Sequence, residues 1–314
     1  MVASHFVNVL SSRNRARIKA GAAPMGEWKG NIHLYDAAGN RVIIIDCEAT
    51  NYRRPVSLVE FVEDRLSKCK STFLPEIYCV LNRIGGSFHA RFWNPDLSPE
   101  DVCANALRCI AAYLKHKEPA GFFEIITPRF VAQVFADSKL AGVSIPLNAI
   151  QVSTVESDWL VDPGTPHRVR RTTNIHDSHV RMLGLLWSTG KSPLNATFYS
   201  IKDERETIRV RTFERGVGET ASCGTGALAA AIAWHQERSK VKNICRTQVE
   251  FHSGQQLQIE LNLQNNHATI SGAFRRIATK CFLPTQREQN RFYDEPLASR
   301  KIRSSLRDST MRFR

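Results

Sequence analysis

The chain has 314 residues, of which 42% are apolar and 23% charged, enough for packed cores and a solvated surface over roughly two domains. Its 17 glycines and 13 prolines exclude a collagen-like or low-complexity chain, and its longest apolar runs (Val42 to Ile45, Ala227 to Trp234) are far short of the roughly 20 residues of a membrane helix. The formal charge of +13 is concentrated in the ends, with +4 in residues 1–29 and +4 in residues 284–314. No nucleic-acid-reading motif accompanies those ends, so they imply only weak, non-specific attraction for polyanions.

Residues 1–29 lack any acid before Glu27 and no hydrophobic block follows their first basic residues. No secretory signal is expected; the composition fits an organellar transit segment or a disordered bacterial extension equally. Asn31 to Tyr35 and Val42 to Ile45 read as strands around a turn at Asp36-Ala-Ala-Gly-Asn40. Leu58, Phe61, Val62 and Leu66 have helical spacing, and Ile77 to Leu81 reads as a buried strand. Ile208, Val210 and Thr212 alternate with Arg209, Arg211 and Phe213, as in a strand of an antiparallel sheet. Val249 to Phe251 and Leu257 to Leu261 alternate likewise around Ser253-Gly254. Residues 284–314, low in apolar content and mixed in charge, read as a basic disordered tail.

Eight cysteines, at 47, 69, 79, 103, 109, 223, 245 and 281, form no CxxC pair, so neither a metal site nor a disulfide framework is expected. Six are read as buried thiols. The other two share a context. Cys103-Ala-Asn-Ala-Leu-Arg-Cys-Ile-Ala-Ala-Tyr-Leu114 overlays Cys223-Gly-Thr-Gly-Ala-Leu-Ala-Ala-Ala-Ile-Ala-Trp234 at an offset of 120 residues. Each cysteine opens an Ala-rich helix through small residues, which predicts two similar domains. A helix start offers free N–H groups and the positive end of the dipole, which favours a thiolate and a bound carboxylate. Two such half-sites across a cleft could take an α-proton from one face and return one to the other.

The stretch Phe213-Glu-Arg-Gly-Val-Gly-Glu-Thr-Ala-Ser-Cys-Gly-Thr-Gly-Ala227 resembles the diaminopimelate epimerase family around its second cysteine. Phe92-Trp-Asn-Pro-Asp96, Asp101 to Cys109, Ala38-Gly-Asn40, Gly164-Thr-Pro-His167 and Leu194-Asn-Ala-Thr-Phe198 match in order, from about residue 30 to 283. The resemblance implies a mixed α/β (α+β) chain of two pseudo-symmetric domains, each a mostly antiparallel sheet wrapped around a helix that starts at a catalytic cysteine. The domains expected are 30–148, joined by 272–283, and 149–271. It implies Cys103 and Cys223 as base and acid, no metal and no cofactor. Ala104, Asn105, Gly224 and Thr225 would hold the reacting carboxylate, with Asn40 near the reacting centre. Asn94, Asn195, Glu214 and Arg215 would hold the distal amino-acid end: Arg215 its carboxylate, Glu214 its ammonium.

Four departures stand out, most of them in the N-terminal half. Cys103-Ala-Asn-Ala replaces Cys-Gly-Asn-Gly, Thr165 replaces an Asn at a substrate-binding position, and Arg41 replaces an acid. Lys70 to Pro75 replaces a Gly-rich segment containing an Asp. Three functions are carried forward. The first is epimerisation of LL- and meso-diaminopimelate, in lysine and peptidoglycan precursor synthesis, with diaminopimelate preferred over lysine. The second is racemisation of another amino acid in the same fold, and the third a non-catalytic binding descendant. The partners expected are a small amino-acid substrate and a second copy of the chain, with no specific nucleic acid and no membrane. The compartment expected is the cytoplasm, or a plastid if the first segment is a transit peptide.

Overall fold

The computed structural model describes residues 31–47, 62, 75–118, 120–203, 206–238 and 243–277. The helix expected over Leu58 to Leu66 lies outside these residues except for Val62, which is helical and buried. Both tails, residues 278–283, and the side chains of Cys47, Cys69 and Cys281 also lie outside.

The first half runs β1 (Asn31–Ala37), β2 (Asn40–Cys47), β3 (Ile77–Ile84), β4 (Ser87–Trp93), β5 (Pro99–Glu100), α1 (Ala104–Lys117), β6 (Phe122–Ile126), β7 (Val131–Ala136) and β8 (Leu140–Pro146). The second runs β9 (Gln151–Val155), β10 (Asp158–Asp162), β11 (His167–Arg171), α2 (Ser178–Thr189), β12 (Asn195–Ile201) and β13 (Thr207–Glu214). It continues through β14 (Gly218–Thr220), α3 (Gly224–Gln236), β15 (Ile244–Phe251), β16 (Gln256–Asn262) and β17 (His267–Ile277).

Strand pairing repeats between the halves. β1 to β8 pair in the order antiparallel (β1–β2), parallel (β2–β3), antiparallel (β3–β4), parallel (β4–β6), then antiparallel twice, with short β5 laid against β4. β10 to β17 follow the same order, with β14 against β13 in the place of β5. Each parallel step needs a crossover, and α1 and α3 are the matching crossovers after the fourth strand of each set. The halves join through β8 and β17, which pair antiparallel. The end of β17 then pairs with β1, and β9, after β8, pairs with β10. Each set therefore closes around a helix with one strand from the other half.

The two central helices sit where their composition sends them. α3 is apolar on all sides and buried from Gly224 to Trp234, and α1 is buried from Ala104 to Leu114. The last turn of α1 carries Lys115, His116 and Lys117 toward the negative end of its dipole. Cys79, Cys109 and Cys245 are buried in the surrounding core.

The alternation expected along β13 holds only to Val210. Arg211 and Phe213 are buried as well, because the second face of the strand is covered by α2. A Cβ on Gly184 of α2 would lie 2.2 Å from the Phe213 ring, and Trp187 stacks on Phe198 beside it. β13 also pairs parallel with β15, so its sheet is mixed at that edge. Among the described residues, no helix is long and apolar enough to cross a membrane.

Candidate active site

Cys103 and Cys223 each occupy the position before a central helix. Their backbones match, φ −127° and ψ 106° against φ −135° and ψ 116°. Each sulfur accepts from the N–H three residues on, Ala106 and Gly226, both at 3.4 Å. The thiols thus take the place of the Ser, Asp or Asn that usually caps a helix.

The two helix starts meet head to head. A Cβ on Gly224 would lie 2.8 Å from the Ala104 Cβ and 3.3 Å from Asn105 Oδ1. Asn105 Nδ2 donates across the junction to Ser222 Oγ at 3.3 Å, and Thr165 Oγ1 donates to Thr225 Oγ1 at 3.2 Å. Arg108, fully buried, holds Asn105 in place: it donates to Asn105 Oδ1, to Ala141 O of β8 and to Ala273 O of β17. The guanidinium therefore ties α1 to the two strands that join the halves.

A cavity opens between the halves, and each of the twelve residues singled out from the sequence lines it. Asn40 is brought there by the β1–β2 turn, where Ala38 and Gly39 adopt positive φ (55° and 82°), as a tight hairpin requires. Its Oδ1 is buried without a hydrogen-bond partner. Asn94 closes a turn after β4 and donates through Nδ2 to Ser98 Oγ at 3.0 Å and Glu100 Oε1 at 2.8 Å. Asn195, at the start of β12, accepts from the Arg215 backbone N–H at 2.8 Å.

The sequence reading missed Glu76, Glu100 and Thr220 on the cavity wall. Glu76 accepts from the backbone N–H of Arg41 at 3.2 Å and forms an ion pair with its side chain, so Arg41 is matched by a carboxylate. Glu100 lies in a two-residue strand with no periodicity to reveal it. The pairing of Glu214 and Arg215 differs from the expectation. Arg215 Nη2 reaches Glu100 Oε1 at 3.4 Å, whereas Glu214 accepts from Thr220 Oγ1 at 2.6 Å and from the Cys223 thiol.

The expectation that the helix starts favour thiolates is corrected. Burial pushes the Cys103 thiol up to about 12, with Glu214 and Glu100 adding to the shift against the opposing Ala106 N–H. Cys223 also rises, through burial and then Glu214. Desolvation and nearby carboxylates outweigh the N–H groups of Ala106 and Asn105 at Cys103, and the Gly226 N–H and Thr225 hydroxyl at Cys223. Glu214 is itself pushed up to about 7, mainly by burial. Behind the wall, burial pushes His167 down to about 3, so its ring is neutral. It bonds Thr197 Oγ1 at 2.9 Å and Thr225 Oγ1 at 3.0 Å, and Thr225 Oγ1 in turn lies 3.3 Å from the Cys223 sulfur. Among the described residues, no group of three or more His, Cys, Asp or Glu side chains could hold a metal ion.

Residues 188–274 match the family model described as diaminopimelate epimerase. A diaminopimelate epimerase of Acetivibrio thermocellus is 26% identical over 269 residues, covering 74% of this chain and 91% of the relative. One from Methanococcus maripaludis is 24% identical over 265 residues, covering 74% and 92%. In fold, a hydroxyproline epimerase from Agrobacterium vitis superposes with a TM-score of 0.56 at 13% identity, covering 81% of this chain and 92% of that one. Two matched halves, each opening a buried helix with a cysteine onto one cavity, agree with these likenesses: the chain is similar to the diaminopimelate epimerase family and is an isomerase of the epimerase and racemase type.

Proposed function

We propose that the protein inverts the α-carbon of a free amino acid by passing protons through Cys103 and Cys223. The observation that carries this reading is the pair of thiols capping opposed helix starts in matching conformations on one cavity wall. The α-carboxylate would sit against the N–H groups at residues 104–105 and 224–225, where negative charge building on the α-carbon is stabilised. One sulfur, as thiolate, takes the α-proton; the opposite thiol supplies a proton to the other face. Enclosure makes each thiolate a strong base, and the ammonium of an incoming amino acid supplies positive charge beside it. Glu214, in contact with the Cys223 thiol, holds that side of the site anionic above about pH 7. Working thiols of this kind require a reducing compartment, and the cytoplasm is the one proposed.

The substrate named by the relatives, diaminopimelate, is supported by Asn94, Asn195, Glu214 and Arg215 standing together on the cavity wall. A second reading, the same chemistry on another amino acid, is favoured by a specific observation: Glu100 engages both Asn94 and Arg215. Incubation of reduced protein in D₂O with LL-diaminopimelate, L-lysine and L-ornithine tests the shared chemistry. The proposal expects deuterium at the α-carbon with inversion for at least one of them; exchange of none would refute it.

A further inference from the structure

The polar groups of the cavity are unevenly matched. Among the described residues, three carboxylates line it, Glu76, Glu100 and Glu214; Glu76 is paired with Arg41, which leaves Glu100 and Glu214 beside the guanidinium of Arg215. Two of the donors suited to a second carboxylate already engage Glu100. Asn94 Nδ2 donates to Glu100 Oε1 at 2.8 Å, and Arg215 Nη2 reaches the same oxygen at 3.4 Å. The acceptors, by contrast, are in surplus. Asn40, 5% exposed, has its Oδ1 buried without a partner. An orphaned buried acceptor is costly and calls for a donor from the ligand.

Resting on the two-thiol reading above, we infer that Glu100 is a built-in stand-in for a substrate's distal carboxylate, and that the site takes a diamino monocarboxylic acid. Glu100 offers its oxygen where a diaminopimelate would place its second carboxylate, between Asn94 and Arg215. A diaminopimelate must bring a like charge against it, which disfavours that substrate. A substrate ending in an ammonium alone meets Glu100 and Glu214 as acceptors and leaves Arg215 with its existing partner. The α-carboxylate remains the only anion to be bound, and the helix starts serve it. Glu100 thus sets specificity by filling a subsite that the rest of the constellation was shaped to leave open.

The test compares kcat/KM for α-deuterium exchange of L-lysine, L-ornithine and LL-diaminopimelate by the wild type, Glu100→Gln and Glu100→Ala, with calorimetric binding of the same ligands. The wild type is expected to favour lysine or ornithine over diaminopimelate by at least about tenfold. Both variants, with folding checked by circular dichroism, should lower that ratio by at least about tenfold, because Asn94 and Arg215 are released to bind a carboxylate. A wild type that prefers diaminopimelate, or a ratio unmoved by both variants, overturns the inference. If no ligand exchanges, the two-thiol reading fails and calorimetry still decides the substrate class. Tighter binding of lysine or ornithine then upholds the inference; tighter binding of diaminopimelate, or binding of none, overturns it.

Discussion

Glu214 is the residue whose ionisation the cavity alters most usefully. Its carboxyl, ordinarily near 4.5, is pushed up to about 7 by burial, and it faces the Cys223 thiol. If the ionised form is needed to hold an ammonium, kcat/KM should rise with pH and level off above about 7. Stability should move the other way. The folded state holds this proton more tightly than the unfolded chain between about 4.5 and 7, so the unfolding free energy falls as pH rises through that window. Urea unfolding at pH 5 and pH 8 checks this: Glu214→Gln should flatten that part of the slope and gain stability at pH 8 while losing activity. An unchanged slope would show that Glu214 is not the group responsible. The sequence pointed to Glu214 and Arg215 by their place before Cys223, but not to their partners. Glu100 was missed because a Pro-Glu pair in a two-residue strand carries no pattern. Its importance arises only where β5 folds back beside Asn94.

The two helix starts are close enough that their small residues act as a pair. Gly224 lies so near Ala104 that an added methyl group would approach the Ala104 Cβ to 2.8 Å, well inside ordinary contact. Gly224→Ala should therefore cost about 1–3 kcal/mol through overpacking, despite alanine's better helix propensity. Ala104→Gly should remove the contact and recover most of that loss in the double variant. Chemical denaturation of the four proteins reads the coupling directly; additive effects would mean that the helix starts do not touch. The element pattern was legible where it was local. The repeat of Cys103 to Leu114 in Cys223 to Trp234 announced two buried helices because capping and small residues recur at fixed offsets. The β1–β2 hairpin was legible from its turn. The interlocking of β8 and β9 with β17 was not, since non-local pairing leaves no periodicity in either strand. Arg108 was also hidden: a charged residue on a helix reads as solvent-facing until the carbonyls of Ala141 and Ala273 are seen to enclose it.

Across the whole molecule, each half closes with a strand from the other, so the cavity between them is held by the same pairing that completes both sheets. Asn105 to Ser222 and Thr165 to Thr225 add hydrogen bonds across the junction. With the helix starts in contact, a modest closure should bring the two capping thiols within bonding reach. Mild oxidation is then expected to abolish activity and raise the melting temperature by linking residues 120 positions apart, and a thiol reductant should reverse both. Oxidation that removes activity without raising the melting temperature would instead indicate modification of a single thiol. The central claim, that the halves contribute one thiol each to inversion of an α-carbon, is tested most directly by Cys103→Ala and Cys223→Ala. The measurement is conversion of L-lysine, L-ornithine and LL-diaminopimelate to their α-inverted products in D₂O, with folding verified for each variant. Each single variant should lose nearly all inversion, about as much as the double variant, because the two thiols act as a unit. Substantial inversion by either single variant would contradict the account.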